Sequence, residues 1–163
     1  MKKNIHTISV LVSNKPGVLV RCAQVFARRG FNIDALVVSP AVNPKFSRMT
    51  ITLDGDPEAL EQIIKQTAKL IDVVHCQEHS GQDSVDHEYA MLKIKTTPKT
   101  RPAIIKLIKG QATILNEVGT ALIVGCGGDT SAVDDLESKL KKFGIIEMVR
   151  SGKLVMAKGQ EET

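Results

Sequence analysis

The chain has 163 residues, of which 42% are hydrophobic and 25% charged, with a net charge of +4. These proportions fit one ordinary globular domain or two small ones and exclude disorder, collagen and coiled-coil fibre. No apolar run approaches the roughly 18–20 residues of a membrane-spanning helix. The basic charge is not gathered into an arm, and aromatics are only 3%, so nucleic-acid-binding readings have little to rest on.

Taken in chain order, residues 5–13 alternate as a strand, with His6, Ile8, Val10 and Val12 on one face. Asn14-Lys15-Pro16-Gly17 breaks the pattern, and Pro16 fits the first turn of a helix running to about Arg29. Leu19, Cys22, Ala23 and Phe26 give that helix its buried face, and Gly30 stops it. Residues 32–39 read as a second strand, and Pro40 to Phe46 as a loop. Residues 48–53 alternate as a strand with Arg48, Thr50 and Thr52 on a wet face. Asp56-Pro57 opens a helix carrying Leu60, Ile63, Ile64 and Thr67, and residues 71–77 form a fourth strand.

Residues 80–86 are small and polar and read as a linker, after which the pattern restarts. Residues 88–96 are a strand, 99–109 a helix, 112–117 and 121–126 two strands around Gly119, and 130–143 a helix stopped by Gly144. A last strand covers 145–150 and continues past Gly152 to Ala157. The order βαββαβ therefore occurs twice. The expected class is α+β, two ferredoxin-like domains in tandem: 1–79, a linker at 80–86, and 87–163. Each unit is marginal alone and leaves a sheet face and two edges to cover, so at least a two-fold dimer is expected.

Cys22, Cys76 and Cys126 are far apart and form no CxxC pair, which fits reduced thiols. The N-terminus enters a strand without an apolar signal core, so a cytoplasmic location is expected.

The turn Asn14-Lys15-Pro16-Gly17-Val18-Leu19 joins the first strand to the first helix. A helix N-terminus presents unpaired N–H groups and a partial positive charge, which suits a carboxylate. Gly17 lets a ligand approach the backbone, Asn14 offers both amide atoms, and Val18 and Leu19 supply apolar lining. The residues allow a small zwitterion site of amino-acid type. They equally allow a plain turn punctuated by Pro and Gly.

The strings S-V-L-V-S-N-K-P-G-V-L at 9–19, F-A-R-R-G-F-N-I at 26–33, P-x-F-S-R-M-T-I at 44–51, E-Q-I-I-K-Q at 61–66 and I-I-E-M-V-R-S-G-K-L-V-M-A-K-G at 145–159 resemble the small, regulatory subunits of acetolactate synthase. That resemblance implies an N-terminal ACT domain that pairs side by side with a second copy and binds a branched-chain amino acid, commonly valine, at the seam. Asn14, Lys15, Pro16, Gly17, Val18 and Leu19 of one copy, with Asn32 and Ile33 of the other, are the effector-binding positions it implies. It also implies a large catalytic partner, which would carry thiamine diphosphate, magnesium and FAD, while this chain would carry no cofactor and no catalytic residue. Ser39 stands where the family often has Ala or Gly, and 108–116 departs from the family's frequent pattern.

Other constellations are weaker. His75, Cys76, His79, Asp83, Asp86, His87 and Glu88 are metal-ligand types without fixed spacing, and a solvated linker is the plainer account. Gly125-Cys126-Gly127-Gly128-Asp129 lacks phosphate-loop spacing and reads as a strand-to-helix turn with Asp129 or Thr130 as cap. Arg28-Arg29 complements a helix C-terminus, and Arg150 has no evident role. Two other functions find little support in the residues. A stand-alone sensor controlling transcription needs a helix-turn-helix or a basic arm, and a small enzyme needs a convergent acid, base or nucleophile.

Overall fold

The computed structural model describes residues 4–160 and 162–163, so the first three residues and Glu161 lie outside it. The elements are β1 (Ile5–Ser13), α1 (Val18–Arg28), β2 (Ala35–Pro40), β3 (Phe46–Asp54), α2 (Pro57–Thr67), β4 (Val73–His79), β5 (Ser84–Lys95), α3 (Arg101–Ile108), β6 (Thr113–Val118), β7 (Ala121–Gly128), α4 (Thr130–Leu140), β8 (Ile145–Arg150) and β9 (Leu154–Ala157), with a 3₁₀ turn at Lys141–Phe143. The chain divides into two compact units: residues up to Asp86 together with those from Gly152 onward, and His87–Ser151. No helix among the described residues is long and apolar enough to cross a membrane.

In the first unit the sheet order is β2-β3-β1-β4, the order of a ferredoxin-like βαββαβ fold. The register sets Ile5 against Asp54 and Ser13 against Phe46, so one end of the sheet holds Asp54 and the other Phe46. The core is built from Ile8, Val10 and Val12 of β1, Met49, Ile51 and Leu53 of β3, and the helix residues Cys22, Phe26, Leu60 and Ile63. The buried stripe of α1 is Val18, Cys22 and Phe26, and Leu19 is 40% exposed. Pro16 does not begin the helix: Gly17, in the left-handed region at φ 83, is its N-cap. Helix α2 starts where the sequence places it, with the Asp56 side chain accepting from the Ala59 N–H at 3.1 Å.

The wet face expected on β3 is not wet. Thr50 and Thr52 are 6% and 8% exposed. The cross-strand neighbours of these residues on β2 are Val37 and Ala35, and Gly152 packs against both. The C-terminal segment thus covers the sheet face opposite the helices. His79 closes that face at the β4 edge. Its Nε2 lies 2.6 Å from the buried Ser9 hydroxyl.

The second unit repeats the order as β6-β7-β5-β8, with β9 pairing β5 outside that path. Its core comprises Ala90, Leu92 and Ile94 on β5, Leu122 and Val124 on β7, Ile104 and Ile108 on α3, and Val133, Leu136 and Leu140 on α4. Asp129, rather than Thr130, caps α4, accepting from the Ala132 N–H at 2.7 Å. That bond holds its carboxyl below the usual carboxylate range. The strand expected to run from 145 through to 157 is interrupted: β8 ends at Arg150 and β9 begins at Leu154. Gly152 between them has φ 80, which extended strands do not use.

Arg150, without a role in the sequence, is the hub of an ion network. Its guanidinium pairs with the buried Glu88 of β5, with Asp134 at 2.6 Å and with Glu137 at 3.7 Å on α4. Removing it strands a buried carboxylate. Arg150→Ala should therefore cost about 3 kcal/mol of stability, read as a lowered urea midpoint. Glu61→Gln, which breaks only the exposed pair with Lys65, should leave that midpoint in place.

Burial lowers the His79 pKa, the charges of His75 and Arg48 lower it further, and Asp83 opposes them. The folded chain thus keeps His79 neutral where the unfolded chain, with a pKa near 6.5, takes up a proton. Stability from this group is present above about pH 6.5 and is lost as pH falls through the folded value. The urea midpoint should drop between pH 7.5 and 5.5, and His79→Gln should flatten that dependence.

Candidate functional site

The turn after β1 is held from outside itself. Asn14 donates its backbone N–H to Lys45 O at 2.8 Å and its Nδ2 to Pro44 O at 3.0 Å, both in the loop between β2 and β3. This fixes the Asn14 side chain with Oδ1 as its remaining acceptor. The Lys15 N–H donates to Ser13 O at 2.9 Å, and the Arg21 N–H donates to Gly17 O at 3.1 Å as the first bond of α1. The Leu19 and Val20 amides sit in the opening turn, where a helix supplies no i−4 acceptor.

Arg21 belongs to this place and was not legible in the sequence. Its guanidinium is paired with Asp72 through Nε at 2.9 Å and Nη2 at 2.6 Å. Its Nη1 would lie 3.1 Å from a Cβ on Gly17. A side chain at position 17 therefore meets both backbone strain and a clamped guanidinium. The arrangement joins a helix N-terminus to a nearby cation, which favours an anion such as a carboxylate. The only sequence signal was an arginine four residues after the turn glycine.

Asn32 and Ile33 lie elsewhere. They precede β2 at the end of the sheet that holds Asp54. Asn32 is exposed, with its Nδ2 3.4 Å from Asp34 Oδ1, and it lines an open cavity with Gly30, Phe31, Asp34, Asp54 and Gly55. Ile33 packs half-buried against the first core. The two carboxylates make this cavity suited to a cation such as an ammonium group. Eight residue-to-residue rises, about 26 Å, separate the two ends of the nine-residue β1. The structure thus gathers Asn14, Lys15, Pro16, Gly17, Val18 and Leu19 at one end of the unit and Asn32 and Ile33 at the other. Within one chain the two groups do not meet.

Between those ends runs an uncovered margin. β2 is an edge strand whose Leu36 and Val38 are 36% and 42% exposed, and α1 exposes Leu19 and Val20. Leu36 and Val38 pair with Ile51 and Met49 and so share the helix side of the sheet. An edge with free backbone groups beside an apolar strip is a natural pairing surface.

The other candidates resolve differently. His75 Nε2 lies 2.9 Å from Gln77 Oε1, and His79 turns to Ser9. Among the described residues no three His, Cys, Asp or Glu side chains gather at metal-holding distance. Burial raises the Cys22 and Cys126 thiols and pushes Cys76 up to about 12, far from a thiolate at neutral pH. The glycines at 125–128 belong to β7 rather than to a turn. A Cβ at Gly125 would sit 2.0 Å from the Tyr89 hydroxyl, so this glycine makes room for a tyrosine.

Two family models match the chain: "AHAS small subunit-like ACT domain" over residues 8–75 and "Small subunit of acetolactate synthase" over 87–159. The chain is 38% identical to the "Probable acetolactate synthase small subunit" of Archaeoglobus fulgidus, over 96% of this chain and 99% of that protein. It is 37% identical to the acetolactate synthase small subunit of Mycobacterium leprae, over 94% and 92% of the respective lengths. The crystal structure of the acetolactate synthase small subunit from Thermotoga maritima superposes with a TM-score of 0.85 at 31% identity, covering 97% of this chain and 99% of that one. Both repeats, and nearly the whole length, are thus accounted for by one family. The chain belongs to the acetolactate synthase small subunits.

Proposed function

We propose that this chain is the non-catalytic regulatory subunit of a cytoplasmic acetolactate synthase in branched-chain amino acid synthesis. It binds a large catalytic subunit, raises that subunit's activity, and makes it sensitive to a branched-chain amino acid. Thiamine diphosphate, magnesium and FAD belong to the catalytic partner, which performs the condensation of 2-oxo acids. The observation that carries the reading is the separation of the two half-sites on either side of an open apolar edge.

Two copies joined side by side along β2 and α1 would set the Asn14–Gly17 turn of one against Asn32 of the other. The helix amides and Arg21 would take the effector carboxylate. Asn14 Oδ1, together with the Asp34 and Asp54 cavity of the second copy, would take the ammonium group. Val18, Leu19 and Ile33 would surround an aliphatic side chain. Feedback then follows from linkage: the effector favours one pairing geometry and the catalytic subunit another. A coupling of about 1–3 kcal/mol is sufficient, and it acts equally in both directions.

The primary test is reconstitution. The chain alone should consume no pyruvate. Added to the large subunit, it should co-purify with it, raise pyruvate consumption, and confer inhibition by valine, leucine or isoleucine. Equal valine affinity with and without the large subunit, measured by calorimetry, would contradict the coupling.

The two-copy site has its own signature. Gly17→Val and Asn32→Ala should each abolish calorimetric valine binding. A mixed dimer of the two variants should regain about half the sites, because one seam then carries only native residues. A site contained within one chain would regain none.

A further inference from the structure

The chain leaves the second unit at Ser151 and enters the first at Gly152. Gly152 has φ 80, and an ideal Cβ there would lie 2.8 Å from Ala35 Cβ and 3.5 Å from Val37 Cγ2. Both neighbours are on β2, which begins two residues after Ile33. The segment that follows is clamped. Lys153 Nζ pairs with Asp86 at 3.0 Å, the Lys158 N–H donates to Asp83 O at 2.8 Å, and the Ala157 N–H donates to Thr163 Oγ1 at 2.8 Å. Val155 points inward and is buried. Beneath the segment the sheet presents Ala35, Thr7, Ser9, Thr50 and Thr52, small residues that permit close approach of another backbone.

We propose that Gly152 is a positioning residue that couples β2 to the C-terminal segment and, through the adjoining Ser151, to the second unit. This rests on the reading that an effector docks beside Asn32. A ligand drawing two β2 strands together shifts Ala35 and Val37. A bare Cα in close contact with them follows that shift, because a packed face has no slack to absorb it. A methyl group at position 152 would hold the segment off β2 and break the link. The contact lies on the sheet face opposite Leu36 and Val38, so it can be altered without touching the proposed seam.

The test uses the full chain with the large subunit, in wild type, Gly152→Ala and Ala35→Val. The second variant presses on the same contact from the other side and adds no φ strain. Three quantities are read: valine affinity by calorimetry, stimulation of pyruvate consumption without valine, and inhibition at saturating valine. Both variants should keep valine affinity within threefold and stimulation unchanged, while inhibition falls at least fivefold. Amide exchange should quicken together at 35–40 and 154–157 in both. Wild-type inhibition in either folded variant overturns the proposal. So does a tenfold loss of valine affinity, which would make Gly152 part of the site rather than a link from it. A wild-type chain that binds no branched-chain amino acid overturns the effector reading instead, and is told apart because exchange still reports the contact of the segment with β2.

Discussion

A four-stranded sheet with helices on one side has a second face and two edges that something must cover. In the first unit the second face is covered by the chain's own C-terminal segment, which is why polar Ser9, Thr50 and Thr52 are buried in a sheet of this size. The β2 edge is left open, with Leu36 and Val38 beside the exposed Leu19 and Val20 of α1. On the proposed reading, this division between a face covered from within and an open edge places the functional residues. On that reading, each half-site lies at one end of the open edge, and neither is complete within one chain.

Burying a hydroxyl or a guanidinium N–H without a partner costs about 1–3 kcal/mol, and here Thr52 Oγ1 and Arg48 Nη1 find no hydrogen-bond partner among the described residues. Ser9 is satisfied only through His79. In the second unit Arg150 joins β5, β8 and α4 through three carboxylates on the helix side of its sheet.

The element order was legible because each element carries its own period, and the Asp56 and Asp129 caps lie beside the helices they start. What escaped was non-local. The covered face of β3 depends on residues about a hundred positions later. The role of Arg150 depends on Glu88, Asp134 and Glu137 from two other elements. The true start of α1 depends on a left-handed Gly17, and Leu19 lies outside the buried stripe of Val18, Cys22 and Phe26. The glycines of β7 resembled a turn until Tyr89 supplied the reason for them. For the candidate site, the turn and Asn32 were visible as residues, whereas Arg21 and the acids Asp34 and Asp54, which line one cavity with Asn32, emerged only from the geometry.

The placement of charge also bears on selectivity. On the proposed reading, the strong recognition elements are a helix N-terminus with Arg21 at one end of the edge and Asp34 with Asp54 at the other. These read an ammonium and a carboxylate, which every free amino acid has. The apolar positions Val18, Leu19 and Ile33 can tell one aliphatic side chain from another by only about 1–3 kcal/mol per methylene. Discrimination among valine, leucine and isoleucine is therefore shallow by construction. Rejection of polar and charged amino acids is steep, because their side chains would be buried among apolar groups without partners. A feedback device answering to several related end products needs this combination of firm backbone recognition and lenient side-chain sizing.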